Sequence, residues 1–239
     1  MQKIQIGNCG NSRFIAIKDL VHLAEPSDLV FGGWDITPEN AYQTACNVGV
    51  LDQHMLGKVR RELEAIAPWR GVFDQAYVRN LKGTHVKTGT SKMDLAKALM
   101  EDIQKFLDDN DLERAVMIWC GSTEVYSEPG PIHQTLEFFE QGLCDNAPEI
   151  SPSMIYAYAS IMCNIPYSNG APNLSVEIPA LVDLANKKGV AIGGKDFKTG
   201  QTMMKTVIAP GLKTRMLGLE GWFSSNIIGN KDGEVLNDS

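Results

Sequence analysis

Gly193-Gly194-Lys195-Asp196-Phe197-Lys198-Thr199-Gly200-Gln201-Thr202 concentrates lysines, a carboxylate and hydroxyls between two predicted elements. Val190-Ala191-Ile192 reads as a short strand, Gly193-Gly194 as a turn, and Thr202 to Ala209 as a helix. Free N–H groups at such a helix start, its dipole and Lys198 could together receive a phosphate or a developing oxyanion. Lys205 follows Thr202 by three residues, about one helical turn, and could point back to the same end. The competing interpretation is an ordinary capped turn whose lysines face water. Gly189 to Lys195 also has the opening spacing G-x-x-x-x-G-K of a phosphate loop. Asp196 stands where that motif needs a hydroxyl, so a phosphate loop is rejected.

Trp119-Cys120-Gly121-Ser122-Thr123-Glu124 forms a second candidate. It follows Ala115-Val116-Met117-Ile118-Trp119, a continuous apolar run that predicts a strand buried on both faces of a parallel sheet. Ligands of open α/β sheets bind beyond such strand ends. Small residues there admit a flat cofactor, and the hydroxyls could bond its ribose or amide; either hydroxyl could equally be a helix cap. Ile6-Gly7-Asn8-Cys9-Gly10-Asn11 lacks the third glycine of a dinucleotide fingerprint. His22, His54, His85 and His133 show no metal-ligand spacing, no metal site is expected, and no G-x-S-x-G elbow occurs.

The elements that must position these segments are legible in part. Leu29-Val30-Phe31 followed by Gly32-Gly33 reads as a strand meeting a tight turn, within Ser27–Ile36. Thr37-Pro38-Glu39 has the form of a helix start, the helix running to about Val48. A second helix begins near Asp52 and is limited by Pro68. In Ser91–Asp108, apolar residues recur at three- and four-residue steps, predicting an amphipathic helix. Ser151-Pro152 starts another, and Asn164–Tyr167 leads into a turn at Asn169-Gly170-Ala171-Pro172. Pro179 to Lys188 reads as a helix closed by Gly189, with Lys187 and Lys188 opposing the negative end of its dipole. Met216 to Ile228 reads as strand and bend. Alternating strands and helices predict an α/β fold.

The 239 residues are 44% hydrophobic and 21% charged, which excludes disorder and allows one to two domains. Lys plus Arg number 22 against 29 Asp plus Glu, a net charge of -7 that argues against nucleic-acid binding. No apolar run spans a bilayer and the N-terminus has no signal-peptide pattern. Five scattered cysteines fit a reducing, cytoplasmic setting.

Five segments occur in a telling order: F-G-G-W-D-I at Phe31–Ile36, W-C-G-S-T-E at Trp119–Glu124, S-N-G-A-P-N at Ser168–Asn173, G-G-K-D-F-K-T-G-Q-T at Gly193–Thr202 and N-I-I-G-N-K-D-G at Asn226–Gly233. Together they resemble the myo-inositol-1-phosphate synthase (inositol-3-phosphate synthase) family. The resemblance implies a Rossmann-type sheet portion plus a mixed α/β catalytic and tetramerisation domain, incomplete at both ends. Residues 1–165 would be a partial NAD-binding domain without the glycine-rich fingerprint, and 166–239 the start of the catalytic domain. It further implies NAD as cofactor, glucose 6-phosphate as substrate and a homotetramer in the complete protein. The implied reaction oxidises the sugar at C5, enolises it, closes the ring by an aldol step onto C1 and returns the hydride. By resemblance, Lys198 stabilises oxyanions and transfers a proton, and Lys205 binds phosphate or an oxyanion. Asp196 orients a lysine or holds the nicotinamide end, and Asn226 is a further active-site candidate. Asp35, Ser122, Thr123, Asn173 and Asp232 fall in segments that line the NAD site.

Departures from the family pattern shape two expectations. Lys195 stands where many relatives carry Asp, and only Met1–Ser27 precedes the aspartate motif. An internal or shortened portion of a synthase is therefore expected, one that binds NAD weakly or not at all by itself. The alternative is an inactive assembly or sugar-phosphate-binding module of the same family.

Overall fold

The computed structural model describes residues 3–6, 13–21, 23–197, 200–224 and 235. They divide into two compact units, Met1–Phe31 and Gly32–Ser239. In the first, β1 (Lys3–Ile6) and β2 (Arg13–Ala16) pair antiparallel, Lys3 opposite Ala16. Gly7 to Asn11 lies outside the described residues.

The second unit is an α/β assembly. In chain order it contains β3 (Trp34–Asp35), α1 (Ala41–Val48), α2 (Gln53–Lys58), α3 (Arg60–Ala65), β4 (Trp69–Arg70), α4 (Lys92–Asp109), β5 (Met117–Trp119), α5 (Leu136–Cys144), α6 (Pro152–Met162), β6 (Tyr167–Asn169), α7 (Pro179–Lys188), β7 (Ile192–Gly194) and α8 (Gly200–Thr214). Strands β3 and β4 pair in parallel. A second parallel sheet has the order β5-β6-β7, with Trp119, Asn169 and Gly194 level at its carboxyl end. This sheet and the core beneath it run across position 165/166.

Helix α6 explains where the core sits. Its sequence PSMIYAYASIM has no polar face, and every residue from Pro152 to Ile161 is buried. A helix apolar all round belongs inside. Ala157, Ala159 and Ser160 keep it slim enough for α4 and α7 to pack closely, α4 through Ala96, Leu99 and Ile103, α7 through Leu181 and Leu184. Helix α4 is the predicted amphipathic helix, opened by Ser91, whose hydroxyl accepts from the Asp94 N–H while Asp94 bonds back to the Ser91 N–H. Helix α7 matches its predicted limits and ends at Gly189 in the left-handed conformation (φ 66°).

Several local expectations are corrected. Leu29-Val30-Phe31 is not a strand and its side chains are exposed. The strand starts at Trp34 because that indole packs on Trp69 and Tyr156 (ring centroids 5.3 Å in both cases). Gly32 precedes it because a Cβ there would come within 2.9 Å of the Phe106 and Trp69 rings. Asn40 rather than Thr37 caps α1, in a reciprocal pair with Gln43; Thr37 instead bonds Asp35. The helix from Asp52 is two helices that break at Val59. Strand β5 is not buried on both faces. Met117 and Trp119 pack into the core, while Val116 and Ile118 are 64% and 52% exposed. Both faces are apolar, so the alternation leaves no mark in the sequence.

Asn169 and Gly193-Gly194, read as turn residues, are strand. The turn begins one residue later, where Asn169 Oδ1 accepts from the Ala171 N–H. Gly194 sits at φ 130°, and a Cβ would lie 2.7 Å from the Asn169 carbonyl oxygen. Gly194→Ala should therefore destabilise the chain by about 3 kcal/mol, combining backbone strain with a collision inside the β6–β7 pair. Chemical denaturation of the two proteins checks this. Helix α8 extends beyond the predicted Thr202–Ala209 despite Pro210, and residues 217–224 show no strand.

Candidate active site

A cleft of about 790 Å³ lies between β3 and β5. One wall is residues 32–37, the other 115–122, with Tyr156 and Pro152 of α6 also lining it. Among the described residues β3 pairs only with β4 and β5 only with β6. The carboxyl ends of β3, β4 and β5 open into the cleft through Asp35, Val72 and Ser122. Tyr156 ties the two walls together. Its ring touches Trp34 and Trp119, each with centroids 5.3 Å apart, and its hydroxyl accepts from the Val72 N–H at 2.8 Å. Such aromatic pairs contribute about 1 kcal/mol each beyond burial.

Asp35 and Ser122 are the predicted ligand residues that the fold brings to this cleft. Asp35 ends β3, and its Oδ1 accepts from the Thr37 N–H (2.9 Å) and hydroxyl (3.0 Å), which fixes the carboxylate's direction. Ser122 is half-buried and Thr123, next to it, is exposed. Gly121 lies against the Trp119 indole, where a Cβ would be 2.7 Å from the ring. The Trp119 Nε1–H is buried without a partner among the described residues.

Asn173 is buried beneath the cleft, bonded to a residue that sequence reading did not single out. Glu124, only 4% exposed and on the cleft wall, accepts from the Ser153 N–H at 2.8 Å, the Ser153 hydroxyl at 2.6 Å and Asn173 Nδ2 at 2.9 Å. Burial raises the Glu124 carboxyl to about 7 from its ordinary 4.5, against the opposing pull of the serine hydrogen bonds. The available signals were the glutamate closing W-C-G-S-T-E and the predicted helix start at Ser151-Pro152, whose N-terminus favours a carboxylate.

The titration has a definite sign. Unfolded, Glu124 ionises near 4.5, whereas folded it keeps its proton to about 7. The native state thus holds an extra proton between those values, so stability falls as pH rises through that window and levels off above it. The loss totals about 3 kcal/mol. Glu124→Gln should abolish that part of the slope, as urea titrations at pH 4.5, 6 and 8 would register.

The other predicted residues sit elsewhere. The Asp196 N–H donates to the Ala171 carbonyl and the Phe197 N–H to that of Gly170, which holds this segment over the carboxyl end of β6. Lys195 pairs with Glu177 at 2.9 Å. Lys205 is exposed, with Nζ 5.4 Å from the Trp222 ring centroid. Neither Asp196 nor Lys205 lines the cleft. Lys198, Asn226 and Asp232 lie outside the described residues. Among the described residues, no group of three His, Cys, Asp or Glu side chains is placed to hold a metal, and no helix is long and apolar enough to cross a membrane.

Comparison with known proteins bears on the same architecture. The inositol-3-phosphate synthase 1 of Bacteroides thetaiotaomicron is 49% identical over 223 residues, 93% of this chain and 52% of that protein. The inositol-3-phosphate synthase of Citrus paradisi is 34% identical over 238 residues, 98% of this chain and 46% of the relative. The chain thus spans about half the length of the curated relatives it matches. The crystal structure of inositol-3-phosphate synthase from Caenorhabditis elegans superposes on 90% of this chain and 43% of its own, with TM-score 0.85 and 29% identity. A synthase-related protein from Thermotoga maritima, 18% identical with TM-score 0.52 over 68% of this chain and 43% of its own, shares the fold. An NAD-binding family model described as myo-inositol-1-phosphate synthase matches residues 1–228. With its parallel sheets and its cleft at their carboxyl ends, the chain belongs to the myo-inositol-1-phosphate synthase family.

Proposed function

We propose that this chain supplies the dinucleotide cleft and the beginning of the active site of an inositol-3-phosphate synthase. Such an enzyme converts D-glucose 6-phosphate to 1D-myo-inositol 3-phosphate, in this reading as a cytoplasmic homotetramer. The observation that carries the reading is the cleft between β3 and β5, with Asp35 fixed at one strand end and Ser122 at the other. Its donor set fits NAD. A carboxylate at the end of a parallel strand suits ribose hydroxyls. The unpartnered Trp119 N–H beside the side-chain-free Gly121 suits a flat group with an acceptor. Asp35 would hold a ribose, and Ser122, Thr123, Asn173 and Asp232 the remaining polar edge. When bound, NAD supplies a reversible hydride acceptor.

The chain's own part is to bind, orient and stabilise charge. Asp35, already committed through one oxygen, keeps the other for the ligand. Lys198 is assigned to oxyanion stabilisation and proton transfer, Lys205 to phosphate or oxyanion binding, and Asp196 to orienting a lysine or holding the nicotinamide end, with Asn226 a further active-site candidate; these assignments rest on the family likeness. In this reading residues 1–165 form the greater part of the dinucleotide site, joined by Asn173 and Asp232, and 166–239 begin the catalytic portion.

A chimera tests the proposal. The matching half of the Bacteroides thetaiotaomicron relative is replaced by this chain, and inositol phosphate formed from glucose 6-phosphate and NAD is measured. Product is expected, and Asp35→Ala in the chimera should raise the NAD concentration needed. A folded chimera that binds NAD but forms no product contradicts the reading.

A further inference from the structure

The two parallel sheets turn one edge each toward the same cleft. In β3 the Gly33 carbonyl accepts from the Trp69 N–H and the Asp35 carbonyl from the Gly71 N–H, both on the β4 side. Successive residues of a strand offer their backbone groups to opposite edges, so the N–H and C=O of Trp34 belong to the cleft side. In β5 the Met117 N–H donates to the Pro166 carbonyl and the Trp119 carbonyl accepts from the Gly170 N–H, both on the β6 side. The N–H and C=O of Ile118 are thereby left for the cleft. Among the described residues no second strand pairs with either edge.

Both edges stand on one helical floor. The Tyr156 ring of α6 meets Trp34 and Trp119, with centroids 5.3 Å away in each case, and Ile103 and Phe106 of α4 also line the cleft. Chain order runs outward from the cleft on both sides, from β3 to β4 and from β5 through β6 to β7. A doubly wound sheet reverses its strand order at such a place, and the strand standing there carries the glycine turn of a dinucleotide site. The outer face of β5 is an independent sign. Val116 and Ile118 are apolar and exposed, whereas parallel strands are ordinarily covered on both faces.

We propose that the body of the cleft is a strand slot. Its occupant is an apolar strand, glycine turn and helix from the part of a synthase that this chain does not span, the curated relatives being about twice as long. The strand lies parallel between β3 and β5, pairs with Trp34 on one edge and Ile118 on the other, and joins the two sheets into one of six strands. Its alternate side chains rest on Tyr156, Ile103 and Phe106, and the helix that follows covers Val116 and Ile118. Main-chain hydrogen bonds along both edges supply affinity, and the alternating side chains supply selectivity. A two-stranded pair as short as β3–β4 is marginal alone, so filling the slot stabilises it. The glycine turn then reaches the mouth between Asp35 and Ser122, where its N–H groups face the phosphates of the ligand. That last consequence rests on the dinucleotide reading; the slot does not.

Overlapping peptides of about 25 residues, enough for a strand, a turn and a helix, are made to tile the part of the Bacteroides thetaiotaomicron synthase outside its match to this chain. Each is added to the ¹⁵N-labelled full chain, and amide hydrogen exchange is followed by NMR at two chain concentrations. In the chain alone, the Trp34 and Ile118 amides should exchange freely while those of Trp69 and Met117 are protected. One apolar stretch with a glycine turn is expected to raise the protection of both Trp34 and Ile118 by about tenfold or more, at either chain concentration. Ile118→Pro removes one edge N–H and should abolish the effect; should that variant not fold, the paired protection in the parent decides alone. The proposal is overturned if no peptide protects both amides, if a bound peptide protects one edge only, or if both amides are already protected in the chain alone. Protection that rises with chain concentration in the absence of peptide would name a second copy as the occupant and overturn it equally. Failure of NAD to bind would leave these results untouched and would count only against the dinucleotide reading.

Discussion

At pH 8, where the folded carboxyl is ionised and accepts from three donors, Glu124→Ala should unfold about 10 °C below the parent chain. Alanine removes the acceptor of the Ser153 N–H, the Ser153 hydroxyl and the Asn173 NH₂, all buried. Each stranded donor costs about 1–3 kcal/mol, partly relieved by solvent entering from the cleft. A net loss of about 3–5 kcal/mol follows, and each kcal/mol moves the midpoint of a chain this size by about 2–4 °C. Glu124→Gln keeps an oxygen for the Ser153 N–H and no buried charge, so its midpoint should stay much closer to the parent's. Scanning calorimetry distinguishes them. A midpoint for Glu124→Ala within 2 °C of the parent would show that the three donors find other partners and that the cluster is not structural.

The largest effect on activity is expected at Lys198. Losing one donor aimed at a developing oxyanion lowers turnover by about 10²–10³-fold, and loss of a proton-transfer role adds to that. In the active chimera, Lys198→Ala should thus lower kcat with the NAD affinity retained. Lys205→Ala should act chiefly through KM for glucose 6-phosphate. Full turnover in the Lys198 variant would sink its assignment, and a pure kcat defect at Lys205 would exchange the two roles.

What the sequence discloses here is what local chemistry decides. Ser91, Ser151 and Gly189 announce helix ends because caps are settled by one side chain or one backbone angle, and the helices they bound lie where the spacing puts them. Thr37 misleads because Asn40 offers a better reciprocal partner in Gln43, while Asp35 engages the Thr37 hydroxyl. The strand at Trp34–Asp35 is decided by Trp69, Phe106 and Tyr156, all distant in sequence. Gly193-Gly194 resembles a turn in isolation and becomes strand because Asn169 requires a partner without a side chain. The site divides the same way. Ser122 is recognisable from strand-end position and residue type, and Asp35 through the family resemblance. Glu124 is not, since its meaning depends on Ser153 and Asn173, 29 and 49 residues away.

The cleft between β3 and β5 is the centre of the account, and titrating NAD into the ¹⁵N-labelled chain tests it most directly. Chemical-shift changes register even weak binding, which is the strength expected of this chain. The account predicts progressive, saturable shifts at the amides of Asp35, Thr37 and Gly121 to Thr123, reduced in Asp35→Ala. Shifts confined to residues outside the cleft, or a spectrum unchanged at millimolar NAD, would contradict it.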